Sequence, residues 1–127
     1  MRRAVFPLAA VLMLALAGSA FAQAPAKIGN SAKGKVLTDS HGMTLYTFAK
    51  DSKGKSACNG GCAANWPPLM ASAGAKGGKG YTLISRTDGS KQWAYKGKPL
   101  YTWKNDHKPG DLTGDGFLKG AWKVARP

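Results

Sequence analysis

The sequence predicts an all-β fold, a single small domain of two antiparallel β units related by approximate two-fold pseudo-symmetry. Three observations carry this expectation. The stretch from Gly42 to Asp51, Gly-Met-Thr-Leu-Tyr-Thr-Phe-Ala-Lys-Asp, returns 55 residues later from Gly97 to Asp106 as Gly-Lys-Pro-Leu-Tyr-Thr-Trp-Lys-Asn-Asp. Repetition at a fixed spacing defines the architectural unit, and the shared residues describe a turn, a strand and an exit. Trp66 and Trp122 follow 56 residues apart. The acids are six aspartates with no glutamate, beside 17 glycines; glutamate favours helices whereas aspartate and glycine favour turns. Within each repeat the aromatics alternate at strand period, Tyr46 with Phe48 and Tyr101 with Trp103.

The chain opens as a secretion signal. Arg2 and Arg3 supply the positive start, Ala4 to Ala17 the apolar segment, and Ala20-Phe21-Ala22 a small-x-small cleavage site. The apolar run is shorter than the roughly 20 residues of a spanning helix, so no membrane span is expected in the mature chain. Leu16-Ala17-Gly18-Ser19 has the shape of a lipoprotein cleavage box with serine in place of the cysteine that forms the thioether. Export to the periplasm or the medium is expected, with cleavage near Ala22 and no lipid anchor.

Removal of residues 1–22 leaves 105, enough for one domain but not for two. It also leaves 17 basic residues against 6 acids, a net charge of +11. Only Arg86 and Arg126 remain as arginines, and the lysines stand singly among glycines. Base and phosphate readers favour arginine, so no specific nucleic-acid partner is predicted. Anionic envelope polymers are the partner class that this charge attracts, with strong salt dependence; nothing in the sequence sets the oligomeric state.

Residues 23–33 are small, polar and unpatterned, and the sequence predicts a flexible N-terminus with structure beginning near Lys35. Repeat 1 spans about 34–70. In it Val36-Leu37-Thr38, the turn 39–42 and Met43 to Phe48 read as a hairpin. A Gly/Ala/Lys linker covers 71–80 and is expected to be mobile. Repeat 2 spans about 81–127, with a three-strand meander predicted from Tyr81–Thr87, Gln92–Tyr95 and Pro99–Trp103.

The aromatic pairs are expected to meet in a core at the pseudo-two-fold axis; the alternative is a groove that stacks sugars or other rings. Asp51 and Asp106 follow the aromatic pairs and are expected to accept bonds from strand-end amides or to form Asx turns. Tyr-x-aromatic-x-x-Asp twice in a small exported chain, with Cys58-Asn59-Gly60-Gly61-Cys62 and Trp66-Pro67-Pro68-Leu69 between, resembles the bacterial "secreted repeat of unknown function" family, many of whose members are lipoproteins. The resemblance spans about residues 34–125 and also takes in Arg86-Thr87-Asp88-Gly89, Gln92-Trp93 and Pro109-Gly110-Asp111. It implies no established activity.

Cys58 and Cys62 are the only cysteines. In an exported chain they predict a local disulfide, with a redox-active dithiol or a copper-binding thiolate pair as the alternative. His41 and His107 flank corresponding strands, and together with Met43 or Met70 they form the weak candidate set for copper or non-covalent haem. Asp111-Leu112-Thr113-Gly114-Asp115-Gly116 resembles the first half of an EF-hand loop, but position twelve is Trp122, which brings no carboxylate. No nucleophile elbow, zinc helix or phosphate loop is present. The expectation is therefore a non-catalytic binding or structural module without a cofactor; the competing reading is a periplasmic metal- or haem-binding redox protein.

Overall fold

At the centre of the molecule Tyr46 and Tyr101, equivalent residues of the two repeats, exchange both backbone hydrogen bonds, Tyr46 N to Tyr101 O at 2.8 Å and Tyr101 N to Tyr46 O at 3.0 Å. A computed structural model gives this structure and describes residues 24–127; the expected signal peptide lies outside the described residues. Strands β1 (Lys27–Ser31) and β2 (Gly34–Thr38) form one antiparallel pair, and β3 (Tyr46–Phe48) and β7 (Trp122–Val124) a second. Strands β4 (Tyr81–Ser85), β5 (Lys91–Tyr95) and β6 (Lys98–Pro99) form a three-stranded antiparallel sheet. A single-turn helix, α1 (Gly61–Asn65), precedes Trp66, and a left-handed turn over Phe117–Gly120 precedes Trp122. The protein is all-β and built from small antiparallel sheets, as expected.

The repeats are intertwined rather than side by side. Segment 65–69, which closes repeat 1, pairs with repeat 2: Leu69 N bonds Leu100 O, Trp93 N bonds Leu69 O and Lys104 N bonds Asn65 O. Segment 121–125, which closes repeat 2, repeats the pattern on repeat 1: Ala125 N bonds Leu45 O, Leu37 N bonds Ala125 O and Ala49 N bonds Ala121 O. Each unit thus completes the other: β1–β2 lies within the first and β4–β5–β6 within the second, but the β3–β7 pair and the closing segments cross between them.

Alternation along the repeated strands serves two cores. Leu45 and Leu100 point into a cluster with Leu37, Tyr81, Trp93 and Ala125. Tyr46 and Tyr101 point the other way, into a cluster with Trp66, Trp103 and Trp122. There four rings stack about the pseudo-two-fold axis in the order Phe48, Trp122, Trp66, Trp103, with centroid separations of 4.1, 3.8 and 4.0 Å. Trp66 and Trp122 are parallel within 1°. The edges of Tyr46 and Tyr101 meet Trp66 and Trp122 at 5.4 and 5.0 Å. Aromatic pairs of this kind contribute about 0.5–1.5 kcal/mol beyond area burial, so the core reading of the aromatics holds.

Three expectations are corrected. The segment expected to be a flexible N-terminus, 23–33, contains β1, which pairs along its whole length with β2 from Lys27↔Thr38 to Ser31↔Gly34. Backbone bonds hold this strand while its side chains stay mostly exposed, Ile28 at 60%, so it has no apolar pattern to read. The predicted hairpin is present only at its turn: Asp39 accepts amides from His41 and Met43, and Leu45 N bonds Leu37 O. Beyond Leu45 the chain leaves β2 and pairs with β7, because Tyr46 must reach its partner on the axis. The meander is present, but its third strand is two residues long rather than Pro99–Trp103, since Tyr101 turns away to Tyr46 and Pro68.

Candidate functional site

The repeated aspartates close a reciprocal lock. Tyr46 OH donates to Asp106 Oδ2 at 2.6 Å, and Tyr101 OH donates to Asp51 Oδ2 at 2.7 Å, so each repeat's tyrosine is held by the other's aspartate. The second carboxylate oxygens do the expected work on backbone: Asp51 Oδ1 accepts from Ala57 N, and Asp106 Oδ1 from Thr113 N and Oγ1. Burial raises both phenol pKa values, and the carboxylate beside each raises them further. Burial likewise raises that of Asp51, against the Ala57 amide, the Tyr101 hydroxyl and Arg86. With neutral phenols as donors, each tyrosine hydroxyl fastens its own repeat to a carboxylate of the other.

Around the Tyr101–Asp51 lock the chain adds a polar network that the Tyr46–Asp106 lock lacks. Arg86 donates to Ser56 Oγ, Gln92 Oε1, Cys58 O and Asn59 Oδ1, and Ser56 Oγ lies 2.7 Å from Tyr101 OH. Gln92 is fully buried and donates to Leu100 O. The Cys58–Cys62 disulfide is formed, with Cα atoms 5.2 Å apart. It clips the turn that leads through α1 to Trp66, whose N–H bonds Cys62 O.

The open surface of the molecule is cationic. A cleft of about 540 Å³ is lined by Phe48, Ala49, Lys53, Gly97, Gly120 and Ala121, among others, and an adjoining one of about 570 Å³ by Tyr95, Gly116, Val124 and Arg126. Thr47, Lys96, Lys98 and Lys123 line both, which makes them one groove. Its lysines are placed by backbone geometry. Lys96 and Gly97 both have positive φ, 50° and 84°, which fits a tight primed hairpin turn and sets Lys96 and Lys98 on either side of Gly97. A Cβ at position 97 would meet Lys53 Cγ at 2.8 Å, so glycine there lets the Lys53 stem lie across the turn. Lys123 faces outward in β7 between buried Trp122 and Val124. Arg126 Nη1 donates to Lys33 O and Lys35 O.

Two acids line the groove, and both are already engaged. Asp51 is committed to Tyr101 and Ala57. Asp115 is bound to Lys33 Nζ at 2.7 Å and to Val124 N; burial pushes its pKa up, but these partners outweigh that and hold it below the usual range. Among the described residues the two ion pairs are Lys33–Asp115 and Lys108–Asp111, so Lys53, Lys98 and Lys123 have no acidic partner there, nor has Lys96, whose ammonium lies 5.1 Å from the centroid of the Tyr95 ring. Phe48, the outer end of the ring stack, adds an aromatic face to the wall.

The candidate ligands His41, Met43, Met70, His107, Asp111 and Asp115 are not all brought to one place. His41 and His107 are exposed on neighbouring turns, where Gly42 packs against Pro109, and Met43 is half-buried. Met70 is half-exposed on a different groove beside Trp93. Asp111 caps its own turn through His107 N, Lys108 N and Lys108 Nζ, and the Lys108 bond lowers its pKa to about 2. The EF-hand-like segment is thus a turn whose carboxylates are spent within the protein. No group of three or more His, Cys, Asp or Glu side chains positioned for a metal occurs among the described residues, and no helix there is long and apolar enough to cross a membrane.

Sequence reasoning missed the groove lysines and the Arg86 network. The usable signal was Lys96-Gly97-Lys98 at a hairpin end; Lys53 and Lys123 gave none. The family model for a secreted repeat of unknown function matches the chain twice, over residues 27–70 and 82–126. No curated protein and no solved structure gives a significant match.

Proposed function

This chain belongs to the family of secreted repeats of unknown function, and on that premise we propose that it is a non-catalytic binding module whose cationic groove takes anionic polymers of the bacterial envelope. The observation that carries the reading is the convergence of Lys53, Lys96, Lys98, Lys123 and Arg126 on one groove whose two acids are spent internally. Exposed lysines with no acidic partner lose little hydration on meeting a flexible polyanion, and their summed field draws it in from solution. Repeated acidic groups along a polymer suit a row of point charges better than a single bidentate clamp would. The residues lining the groove include neither histidine nor cysteine, and binding of this kind needs no cofactor. Export places the module in the periplasm or outside the cell, after cleavage near Ala22.

The test is titration with a soluble polyanion such as dextran sulfate at two ionic strengths. Substituting Lys96, Lys98 and Lys123 together by glutamine is expected to weaken binding at least about tenfold, roughly 1.4 kcal/mol. Substituting Lys76, Lys79 and Lys91, which remove the same charge outside the groove, is expected to cost much less. Equal losses for the two triple variants would reduce the charge to a general solubility device. Turnover of any substrate abolished by one substitution would overturn the non-catalytic reading.

A further inference from the structure

We infer that the Phe117–Leu118 tip is a membrane-docking element, and that the partner it fits is a bilayer surface carrying anionic phosphate headgroups. The two residues are adjacent in sequence and exposed, Phe117 at 43% and Leu118 at 59%. Their exposure is built into the backbone. Gly116, Leu118, Lys119 and Gly120 all have positive φ, 89°, 55°, 56° and 88°, and the turn is tied at its base by Gly116 N to Trp122 O at 2.7 Å and Gly120 N to Gly116 O at 2.8 Å. Phe117 rests its ring against Trp103 at 5.0 Å and Trp66 at 5.8 Å, which leaves Leu118 as the outermost apolar group.

The other repeat treats the same turn differently. Cys58 and Cys62 stand 56 residues before Gly114 and Leu118, the spacing that relates Trp66 to Trp122. Repeat 1 therefore closes this turn on itself with a disulfide, while repeat 2 presents a leucine to solvent. The base of the tip borders the cationic groove: Gly120 lines one cleft, Gly116 the other, and Lys123 both. Lys119 lies within the tip itself. An exposed apolar point with Lys119 beside it and Lys123 at its base combines the apolar and cationic groups that favour the headgroup–acyl boundary of an anionic bilayer. A second copy of the chain is a poor occupant, because it brings the same positive charge. The electrostatic half of this inference rests on the groove reading; the apolar half does not.

Cosedimentation of the mature chain with phosphatidylglycerol/phosphatidylcholine vesicles tests it. Wild-type protein is expected to bind these vesicles at low salt and to bind pure phosphatidylcholine vesicles weakly. Leu118→Gly suits the left-handed backbone at φ 55°, so folding is not at risk, and it is expected to lower vesicle binding about tenfold without changing dextran sulfate binding. Ile28→Ser, at an exposed apolar residue on β1, is expected to leave vesicle binding unchanged. Wild-type binding undiminished by Leu118→Gly, or absent on anionic vesicles, would overturn the docking role. The polyanion titration reads the groove separately: retained there, only the membrane inference falls, and lost there as well, both fall.

Discussion

Removing a single hydroxyl from either lock should reveal that the two are unequal. In Tyr46→Phe the Asp106 Oδ2 atom loses a 2.6 Å bond at a site where the residue is only 7% exposed, and water cannot readily replace the donor. Oδ1 keeps Thr113, so the carboxylate stays in place with half its shell missing. Hydrogen bonds to charged groups contribute about 1.5–3 kcal/mol, which sets the expected loss at about 2 kcal/mol. In Tyr101→Phe the partner Asp51 is half-exposed and can take water, and Ser56 keeps Arg86 and the Cys58 amide; the expected loss is about 1 kcal/mol. For a domain of this size these correspond to falls in Tm of roughly 10 and 5 °C. Urea unfolding followed by tryptophan fluorescence, with an unchanged slope, provides the stability differences. If both variants stay within about 0.5 kcal/mol of wild type, or Tyr101→Phe is the costlier, burial of the acceptor is not what sets the strength of the lock.

Further expectations follow from the same core. Tyr46 and Tyr101 keep their protons in the folded protein well beyond the ordinary phenol value of 10.0, whereas the unfolded chain releases them near pH 10. Stability is therefore full below pH 10 and falls above it, by up to about 1.4 kcal/mol per pH unit for each tyrosine; urea midpoints between pH 9 and 11 should fall less steeply in Tyr46→Phe, and an unchanged slope would contradict the assignment. Gly114→Ala should destabilise by about 1–3 kcal/mol, because its Cβ would lie 2.7 Å from Trp66 Cη2 and 3.0 Å from Trp103 Cγ; thermal melts check this, and a neutral substitution would mean the ring stack is looser than the structure shows.

Much of the fold was legible because repetition and alternation are local signals. The Gly-to-Asp repeat announced two units, and alternation put Tyr46 and Tyr101 on one face. Strand exits were legible in the aspartates only by half: the amides of Ala57 and Thr113 were of the expected kind, but the phenols were not, since nothing local in a chain says that a carboxylate will meet a tyrosine 50 or 60 residues away. Strand β1 was illegible because its stability lies in backbone bonds to β2, which any residue except proline can make.

By itself the sequence determined an exported, lysine-rich, all-β chain of two related units with one cysteine pair. Those properties depend on composition, on the repeated motifs that carry the family match and on side-chain period, all of which are written residue by residue. Only the tertiary structure decided that the repeats exchange their closing strands and that each tyrosine is fastened by the other repeat's aspartate. It also decided that four aromatic rings stack across the axis, and that lysines scattered from position 53 to 123 face one groove beside the Phe117–Leu118 tip. The physical reason is the pseudo-two-fold axis: it brings together residues about 55 positions apart, and the partner of each is set by how the two units pack.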